Sequence, residues 1–282
     1  MKYLSNAKIN LNLMVTGIDD KGYHLLYSVM APISLYDELD IEIIKEEKII
    51  IECNKKEIPT DERNIITKCI NELKKERKIN CGFRINLVKK IPSQAGLGGG
   101  SSNGATVLKA INEMLNLRLS KEEMSTIGAK VGADIPFFIH NKMSLVEGIG
   151  DRITPLFNEK FKPYILLIKP TVGIDTKQAF SLYDKMMKTK EYTPLVLHNL
   201  IEENKVKEIY PLIKNDLQRT ATSIVPEIEK ISKFLIENGA DASCMSGSGS
   251  CCFGVFEEEK NAQIAFEKAK EKYDFVKITK IV

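Results

Sequence analysis

The chain has 282 residues, of which 43% are apolar and 28% charged, and its formal charge of +3 comes from 41 basic and 38 acidic side chains. This length allows two ordinary domains or one large one, and the balanced charge argues against a partner that is nucleic acid or an anionic membrane. No stretch has the length of a membrane span, and the N-terminus lacks the apolar core of a signal peptide. We therefore expect a cytoplasmic protein with reduced thiols. The six cysteines form no C-x-x-C pair, which disfavours a zinc site.

The first half of the chain contains both strand and helix patterns. Apolar and polar side chains alternate over two predicted strands, at 8–15 and 83–87, and we predict further strands at 40–44 and 48–52. Apolar side chains recur at helical spacing over 64–77 and 103–116. A third helix is expected to begin at Ser120, because Ser120 and Glu123 match a capping box.

The second half has a different order, which we interpret as β-α, a helical insertion, and then α-β-β-α-β. Its predicted strands are 164–168, 240–245, 251–256 and 275–282, and its predicted helices are 175–187, 226–238 and 261–272. This order is that of a ferredoxin-like unit with added helices. We place a domain boundary near residue 158, which gives domains 1–158 and 159–282.

A Gly-rich segment follows the predicted strand 83–87 and opens the next helix. Its residues are Pro92, Ser93, Gln94, Ala95, Gly96, Leu97, Gly98, Gly99, Gly100, Ser101 and Ser102. Glycines let the backbone approach a ligand closely, and successive N–H groups beside a helix N-terminus can bind phosphate oxygens. The Ser101 and Ser102 hydroxyls could bind a phosphate or help to hold Mg²⁺.

Two other nucleotide-binding loops do not match this segment. A Walker A loop requires a lysine after its last glycine, and a dinucleotide loop requires G-x-G-x-x-G; neither occurs here. The remaining alternative is a flexible loop that ends in a serine N-cap. The segment therefore predicts a ligand that carries phosphate, without identifying the reaction.

Two residues far from this segment are candidates for acid–base chemistry. Lys8 shares one face of its predicted strand with Asn10 and Asn12. Taken alone, that pattern favours a solvated edge strand, and the functional alternative is a cation held beside a reacting hydroxyl. Asp134 precedes Ile135, Pro136 and two phenylalanines, so we expect it to be partly desolvated. Its alternative role is a helix N-cap before Pro136.

Two further motifs have both a structural and a functional interpretation. Tyr23 could stack on a base and His24 could read the base edge, or Gly22-Tyr23-His24 could be a simple turn. The segment 246–250, Ser-Gly-Ser-Gly-Ser, could be a hairpin turn or could line the active site.

Taken together, these motifs resemble the GHMP kinase superfamily of galactokinase, homoserine kinase, mevalonate kinase and phosphomevalonate kinase. The resemblance covers nearly the whole chain and rests on segments 7–11, 22–24, 92–102, 132–138, 148–152, 215–217 and 246–250. The lysine motif and Gly-Tyr-His are the most specific of these. The resemblance implies an α+β protein with an N-terminal β-α-β nucleotide-binding domain, which contains an unusual left-handed crossover, and a C-terminal ferredoxin-like domain.

The resemblance also implies a reaction and a set of site residues. ATP, with Mg²⁺, would phosphorylate the 2-hydroxyl of a methylerythritol unit that carries cytidine diphosphate, in the non-mevalonate route to isoprenoids. Asp134 would take the hydroxyl proton, and Lys8 would orient the hydroxyl and stabilise charge. The segment 92–102 would bind ATP, with Asn64 near the adenine. Asn10, Tyr23 and His24 would hold the cytidine diphosphate end. The resemblance does not imply how the metal is ligated or the oligomeric state.

Two residues of this chain depart from the pattern of the family that it resembles. Met30 replaces an aromatic residue that packs on cytosine, and Gly104 replaces an alanine at the helix start. Two alternatives stay open: another kinase of this superfamily, acting on homoserine or mevalonate, and a non-catalytic nucleotide-binding protein. Gly22-Tyr23-His24 argues against the first, and the presence of both Lys8 and Asp134 argues against the second.

Overall fold

The computed structural model describes residues 1–157, 160–186 and 197–282, and it is an α+β protein with two sheets. The chain divides into two compact units. The first unit is Met1–Ala7, Leu35–Pro92 and Gly98–Lys142, and the second is Lys8–Ser34, Ser93–Leu97 and Met143–Val282. The domain boundary predicted near residue 158 lies outside the described residues and stays a prediction.

The regular elements are numbered in chain order. The strands are β1 (Lys2–Asn10), β2 (Met14–Ile18), β3 (His24–Ile44), β4 (Ile49–Cys53), β5 (Gly82–Val88), β6 (Ser144–Gly148), β7 (Arg152–Pro155), β8 (Tyr164–Lys169), β9 (Ala242–Met245), β10 (Cys252–Phe256) and β11 (Phe275–Lys280). The helices are α1 (Ile65–Glu76), α2 (Gly99–Met114), α3 (Lys121–Ala129), α4 (Ile135–His140), α5 (Thr176–Met186), α6 (Leu197–Glu202), α7 (Val206–Ile209), α8 (Gln218–Ile224), α9 (Glu227–Glu237) and α10 (Glu259–Lys270), and a 3₁₀ turn covers Tyr210–Leu212. Within the described residues, none of these helices is both long and apolar enough to cross a bilayer.

The first unit contains the predicted β-α-β arrangement. Strands β4 and β5 are parallel and are connected through α1, and the C-terminal half of β3 pairs antiparallel with β5. Helix α1 packs against α2, and α2 packs against α4. Gly104 lets α1 and α2 approach closely, because a Cβ atom at this position would lie 2.8 Å from Cys69 Sγ. The departure at Gly104 therefore has a packing explanation.

Lys109 connects α2 to α4 within the first unit and makes stability depend on pH. Its Nζ donates to the carbonyl of Phe138 at 3.0 Å, and burial, with a smaller effect of Lys121, lowers the pKa of Lys109 from 10.5 to about 8. Between these values the unfolded chain binds more protons than the folded chain, so the contribution of Lys109 to the unfolding free energy rises with pH. Below about pH 8 the folded protein bears the full cost of burying the charge.

Replacing Lys109 with Met is expected to remove this pH dependence. The unfolding free energy of Lys109→Met minus that of the wild type should fall, by up to about 2 kcal/mol, between about pH 7.5 and about pH 9.5. Urea unfolding at both pH values measures this difference, with the exposed Lys78→Met as the matched control. A difference that stays constant with pH would contradict the assignment.

The second unit contains the ferredoxin-like sheet. Its strand order is β11-β8-β10-β9, and every neighbouring pair is antiparallel. This is the order expected when the chain runs β-α-β-β-α-β, so the ferredoxin-like prediction is confirmed. The core of this unit combines β8 and β10 with α9 and α10, through side chains that include Leu166, Ile231, Phe256 and Ala265.

Several predicted boundaries are wrong. The predicted strand 8–15 ends at Asn10 and resumes as β2 at Met14, because Leu13 leaves it to bridge Asn215. Helix α2 begins at Gly99, four residues before the predicted start. The prediction started too late because glycine has a low helix propensity. Strand β3 is 21 residues long, although only 40–44 was predicted as strand. Residue 187, the predicted end of α5, lies outside the described residues.

Candidate active site

Lys8 and its two asparagine neighbours, Asn10 and Asn12, belong to the second unit and are buried. The exposed fractions are 3% for Lys8, 3% for Asn10 and 0% for Asn12. The solvated edge strand that their spacing favoured is therefore wrong. Lys8 Nζ donates to Asn10 Oδ1 at 2.6 Å, which gives the buried ammonium group a fixed direction.

A chain of hydrogen bonds fixes the amide groups beside Lys8. Asn10 Nδ2 donates to Ser28 Oγ at 2.8 Å, and Ser28 Oγ donates to the Asn12 carbonyl at 2.5 Å. Asn12 Oδ1 in turn accepts from the Val29 N–H at 2.6 Å. Strand β3 thus sets the side-chain position of Asn10, and Asn10 sets that of Lys8.

The loop 246–250 packs against the part of the Gly-rich segment that belongs to the same unit. Ser246 Oγ donates to the Gly96 carbonyl at 2.9 Å and accepts from the Asn10 N–H at 3.4 Å. A Cβ atom at Gly96 would lie 1.9 Å from the Ser246 carbonyl oxygen, so only glycine fits there. The Lys8 N–H donates to the Leu97 carbonyl at 3.0 Å. The loop therefore connects β9 to β10, as the hairpin interpretation predicts, and it contacts the backbone of Asn10 and Gly96. Its place in the active site stays a prediction.

His24 belongs to an aromatic and acidic cluster in the second unit. Its Nε2 donates to Asp184 Oδ1 at 2.7 Å, and its ring stacks on Phe180 with 4.6 Å between centroids. Tyr23 follows the turn at Gly22 and is 59% exposed. Because His24 Nε2 is hydrogen-bonded to Asp184, only His24 Nδ1 or the backbone would be available to hydrogen-bond a nucleotide base. Met30, which departs from the family pattern as Gly104 does, is buried, with 2% of its surface exposed.

The first unit contains the start of α2, which is the other part of the Gly-rich segment. Gly98 is the N-cap in a left-handed conformation with φ of 69°, and no side chain caps this helix end. The first N–H groups of a long helix are thus left for a ligand, which fits an anion such as phosphate. Ser102 is buried and its Oγ accepts from Ser5 Oγ at 2.7 Å, so Ser101 is the better candidate for a phosphate or metal contact.

Asp134 lies at the N-terminus of α4 in the first unit. It is half-buried, as its apolar neighbours predict, and its side chain makes no capping hydrogen bond. Asp134 is therefore the N-cap residue before Pro136 by position, as the alternative predicts, but its side chain does not cap the helix. The segment that leads to it lies close to α2, because a Cβ atom at Gly132 would be 3.7 Å from Ser101 Oγ.

Asn64 has a clear structural role in the first unit. Its Oδ1 accepts from the Ile66 N–H at 2.8 Å as the N-cap of α1, and its Nδ2 donates to the Pro59 carbonyl at 2.6 Å. Asn64 is buried, with 7% of its surface exposed. The placement of Asn64 near adenine stays a prediction.

The described residues include partners that the sequence did not single out. Ser28 and Asp184 hold Asn10 and His24, and Phe180 stacks on His24. Long-range contacts of this kind leave no periodic signal in one sequence. Among the described residues, no group of three or more His, Cys, Asp and Glu side chains could hold a metal ion.

Comparison with known proteins gives the family context of these residues. The model of the GHMP kinases N terminal domain matches residues 64–142, and the model of the GHMP kinases C terminal matches residues 197–274. The chain is 40% identical over 281 residues to 4-diphosphocytidyl-2-C-methyl-D-erythritol kinase of Clostridium botulinum strain Hall, with 99% of each chain covered.

Solved structures agree with these matches. The crystal structure of a 4-(cytidine 5'-diphospho)-2C-methyl-D-erythritol kinase matches with a TM-score of 0.85 and 27% identity, covering 100% of this chain and 99% of that one. Homoserine kinase from Cytophaga hutchinsonii matches with a TM-score of 0.75 at 18% identity, covering 100% and 94% of the two chains. The second match shows the fold alone.

Proposed function

The chain belongs to the 4-diphosphocytidyl-2-C-methyl-D-erythritol kinases, a branch of the GHMP kinases, and on this premise we propose roles for its site residues. It is an ATP-dependent small-molecule kinase that phosphorylates the 2-hydroxyl of 4-diphosphocytidyl-2-C-methyl-D-erythritol, giving the 2-phosphate and ADP. We place this step in the cytoplasm, in the non-mevalonate route to isoprenoid precursors.

The segment 92–102 binds the phosphates of ATP in this proposal. The uncapped start of α2 supports it, because the first N–H groups of a long helix favour an anion near the backbone. The Ser101 hydroxyl would contact Mg²⁺, whose other ligands would be phosphate oxygens and water. Bound ATP with Mg²⁺ supplies the phosphoryl group and neutralises part of its charge.

Asp134 and Lys8 have different roles at the acceptor hydroxyl in this proposal. Asp134 accepts the hydroxyl proton, a role supported by its half-buried position beside apolar residues at the N-terminus of α4. Lys8 holds the hydroxyl and stabilises the negative charge that develops on the transferred group. The observation that carries this role is the buried ammonium group of Lys8, fixed at 2.6 Å by Asn10.

Asn10, Tyr23 and His24 bind the cytidine diphosphate end of the acceptor. The exposed ring of Tyr23 has a free face for stacking, and Asp184 fixes the tautomer of His24. Asn10 would contact the acceptor while it positions Lys8. Binding energy from this remote end then serves to orient the reacting hydroxyl.

A panel of acceptors tests the proposed function. The purified protein, with ATP and Mg²⁺, should phosphorylate methylerythritol that carries cytidine diphosphate, with kcat/KM at least about 10³-fold above that for methylerythritol alone. Homoserine and mevalonate complete the panel and should not be turned over. Equal turnover with and without cytidine diphosphate would refute a site built around Tyr23 and His24, and turnover of homoserine or mevalonate would favour the alternative kinases.

A further inference from the structure

A buried polar network surrounds Asp37 in the first unit and has no part in the roles proposed above. Asp37 is 0% exposed, Lys89 is 7% exposed and Asn103 is 3% exposed. Lys89 Nζ donates to Asp37 Oδ2 and, at 3.2 Å, to Asn103 Oδ1. Asn103 Nδ2 also donates to Asp37 Oδ2 at 2.9 Å. These three side chains form a closed ring of charge-assisted hydrogen bonds.

One oxygen of Asp37 holds the chain where it enters the Gly-rich segment. Asp37 Oδ1 accepts from the Lys90 N–H at 2.8 Å and from the Ile91 N–H at 2.9 Å. Both N–H groups lie immediately before Pro92, the first residue of that segment. The end of β5 is therefore fixed to β3 by a carboxylate and not by strand pairing alone.

The other oxygen of Asp37 holds the chain where it leaves the same segment. Asn103 is the fifth residue of α2, and its Nδ2 donates to Ser5 Oγ at 2.9 Å as well as to Asp37. Ser5 Oγ donates in turn to Ser102 Oγ. The two ends lie close together: a Cβ atom at Gly99 would be 2.9 Å from Ile91 Cγ2 and 3.0 Å from Lys89 Nζ.

Stability alone does not account for this network. A buried ion pair loses the hydration of both charges, and apolar replacements of similar size are often at least as stable. A glycine-rich segment, in contrast, has a large conformational freedom that must be restricted before its N–H groups converge on phosphate. One carboxylate that binds both ends restricts that freedom directly.

We propose that Asp37, together with Lys89 and Asn103, positions the Gly-rich segment 92–102 for the phosphates of ATP. None of the three touches the ligand in this proposal; Asp37 sets the distance between the residues that enter the segment and the helix end that leaves it. The inference rests on the proposed function only in taking ATP as the ligand of this segment.

Two variants test the inference by ATP binding without any acceptor. The double variant Asp37→Asn, Lys89→Met removes both charges together, so that no unpaired charge stays buried, and it places a second donor against Asn103 Nδ2. The variant Asn103→Ala keeps the ion pair and releases α2. Both should raise the dissociation constant of ATP with Mg²⁺, measured by equilibrium dialysis, by about 10-fold to 100-fold. The KM for ATP should rise in parallel, and the KM for the acceptor should stay within about two-fold.

The control is Ile41→Val, which truncates a fully buried side chain on the same strand and removes none of these hydrogen bonds. It should lower the melting temperature and leave the dissociation constant of ATP unchanged. Variants of the network that bind ATP as the wild type does, with a melting temperature lowered like that of the control, would overturn the inference while the proposed function stands. A wild-type protein that binds no ATP would overturn the proposed function itself.

Discussion

Replacing Asp134 with Asn is expected to lower kcat by about 10²-fold to 10⁴-fold while the dissociation constant of ATP stays nearly the same. The amide has the size of the carboxyl group but accepts no proton, so the acceptor hydroxyl would have to lose its proton to water. The start of α4 should be unaffected, because the Asp134 side chain makes no capping hydrogen bond there. A coupled assay of ADP release measures kcat, and equilibrium dialysis measures ATP binding.

The matched control for Asp134 is Asp241→Asn. Asp241 is exposed and its Oδ2 accepts from the Glu257 N–H, a bond that an asparagine oxygen can also accept. This variant should keep kcat within about two-fold of the wild type. If Asp134→Asn also retained activity within a few-fold, Asp134 would not be the base, and the proton would leave by another route.

Replacing Lys8 with Met is expected to lower kcat by about 10²-fold to 10³-fold, the size of effect seen when one group that stabilises transition-state charge is lost. Methionine fills a similar volume, so that packing around the buried position is largely kept. Lys8→Arg should not restore the rate, because the planar guanidinium group is larger and cannot place a single charge where Nζ lies beside Asn10.

Lys2→Met is the control for Lys8, since Lys2 lies on the same strand β1 with an exposed side chain. Its kcat should equal that of the wild type. The Lys8 variants should also show a circular dichroism spectrum and a melting transition like those of the control, so that a slow variant is distinguished from an unfolded one. A Lys8→Met enzyme with wild-type kcat would remove Lys8 from the reaction.

Local signals in the sequence predicted many elements well. The capping box of Ser120 and Glu123 is present at the start of α3, and α1 runs between Asn64 and Arg77 as its caps. Such signals act over three or four residues, so a single sequence contains all of their information. Strand β3 was mostly missed because its residues from Tyr27 to Leu35 are nearly all buried, and a continuous buried run has no alternation to read.

The sequence singled out candidate site residues but gave little information on what surrounds them. The spacing of Lys8, Asn10 and Asn12 placed them on one strand face, but whether that face meets solvent or Ser28 depends on a strand that comes later in the chain. Ser246 contacts the Gly96 carbonyl across a separation of 150 residues, which no local pattern encodes. Asp37 and Asn103, 66 positions apart, gave no signal at all for the same reason.

The division of each unit into several stretches of chain has a consequence for how the protein is made. The second unit joins Ser34 to Thr279 by a hydrogen bond across 245 positions, and Ile33 bridges Ile281. This unit cannot be completed until the ribosome has also synthesised Thr279 and Ile281, long after the first strands. The early strands must wait with unpaired partners, and closing such a long loop is slow. Folding of this unit therefore lags behind the synthesis of its early strands, and chaperones that shelter an exposed strand edge would act during that interval.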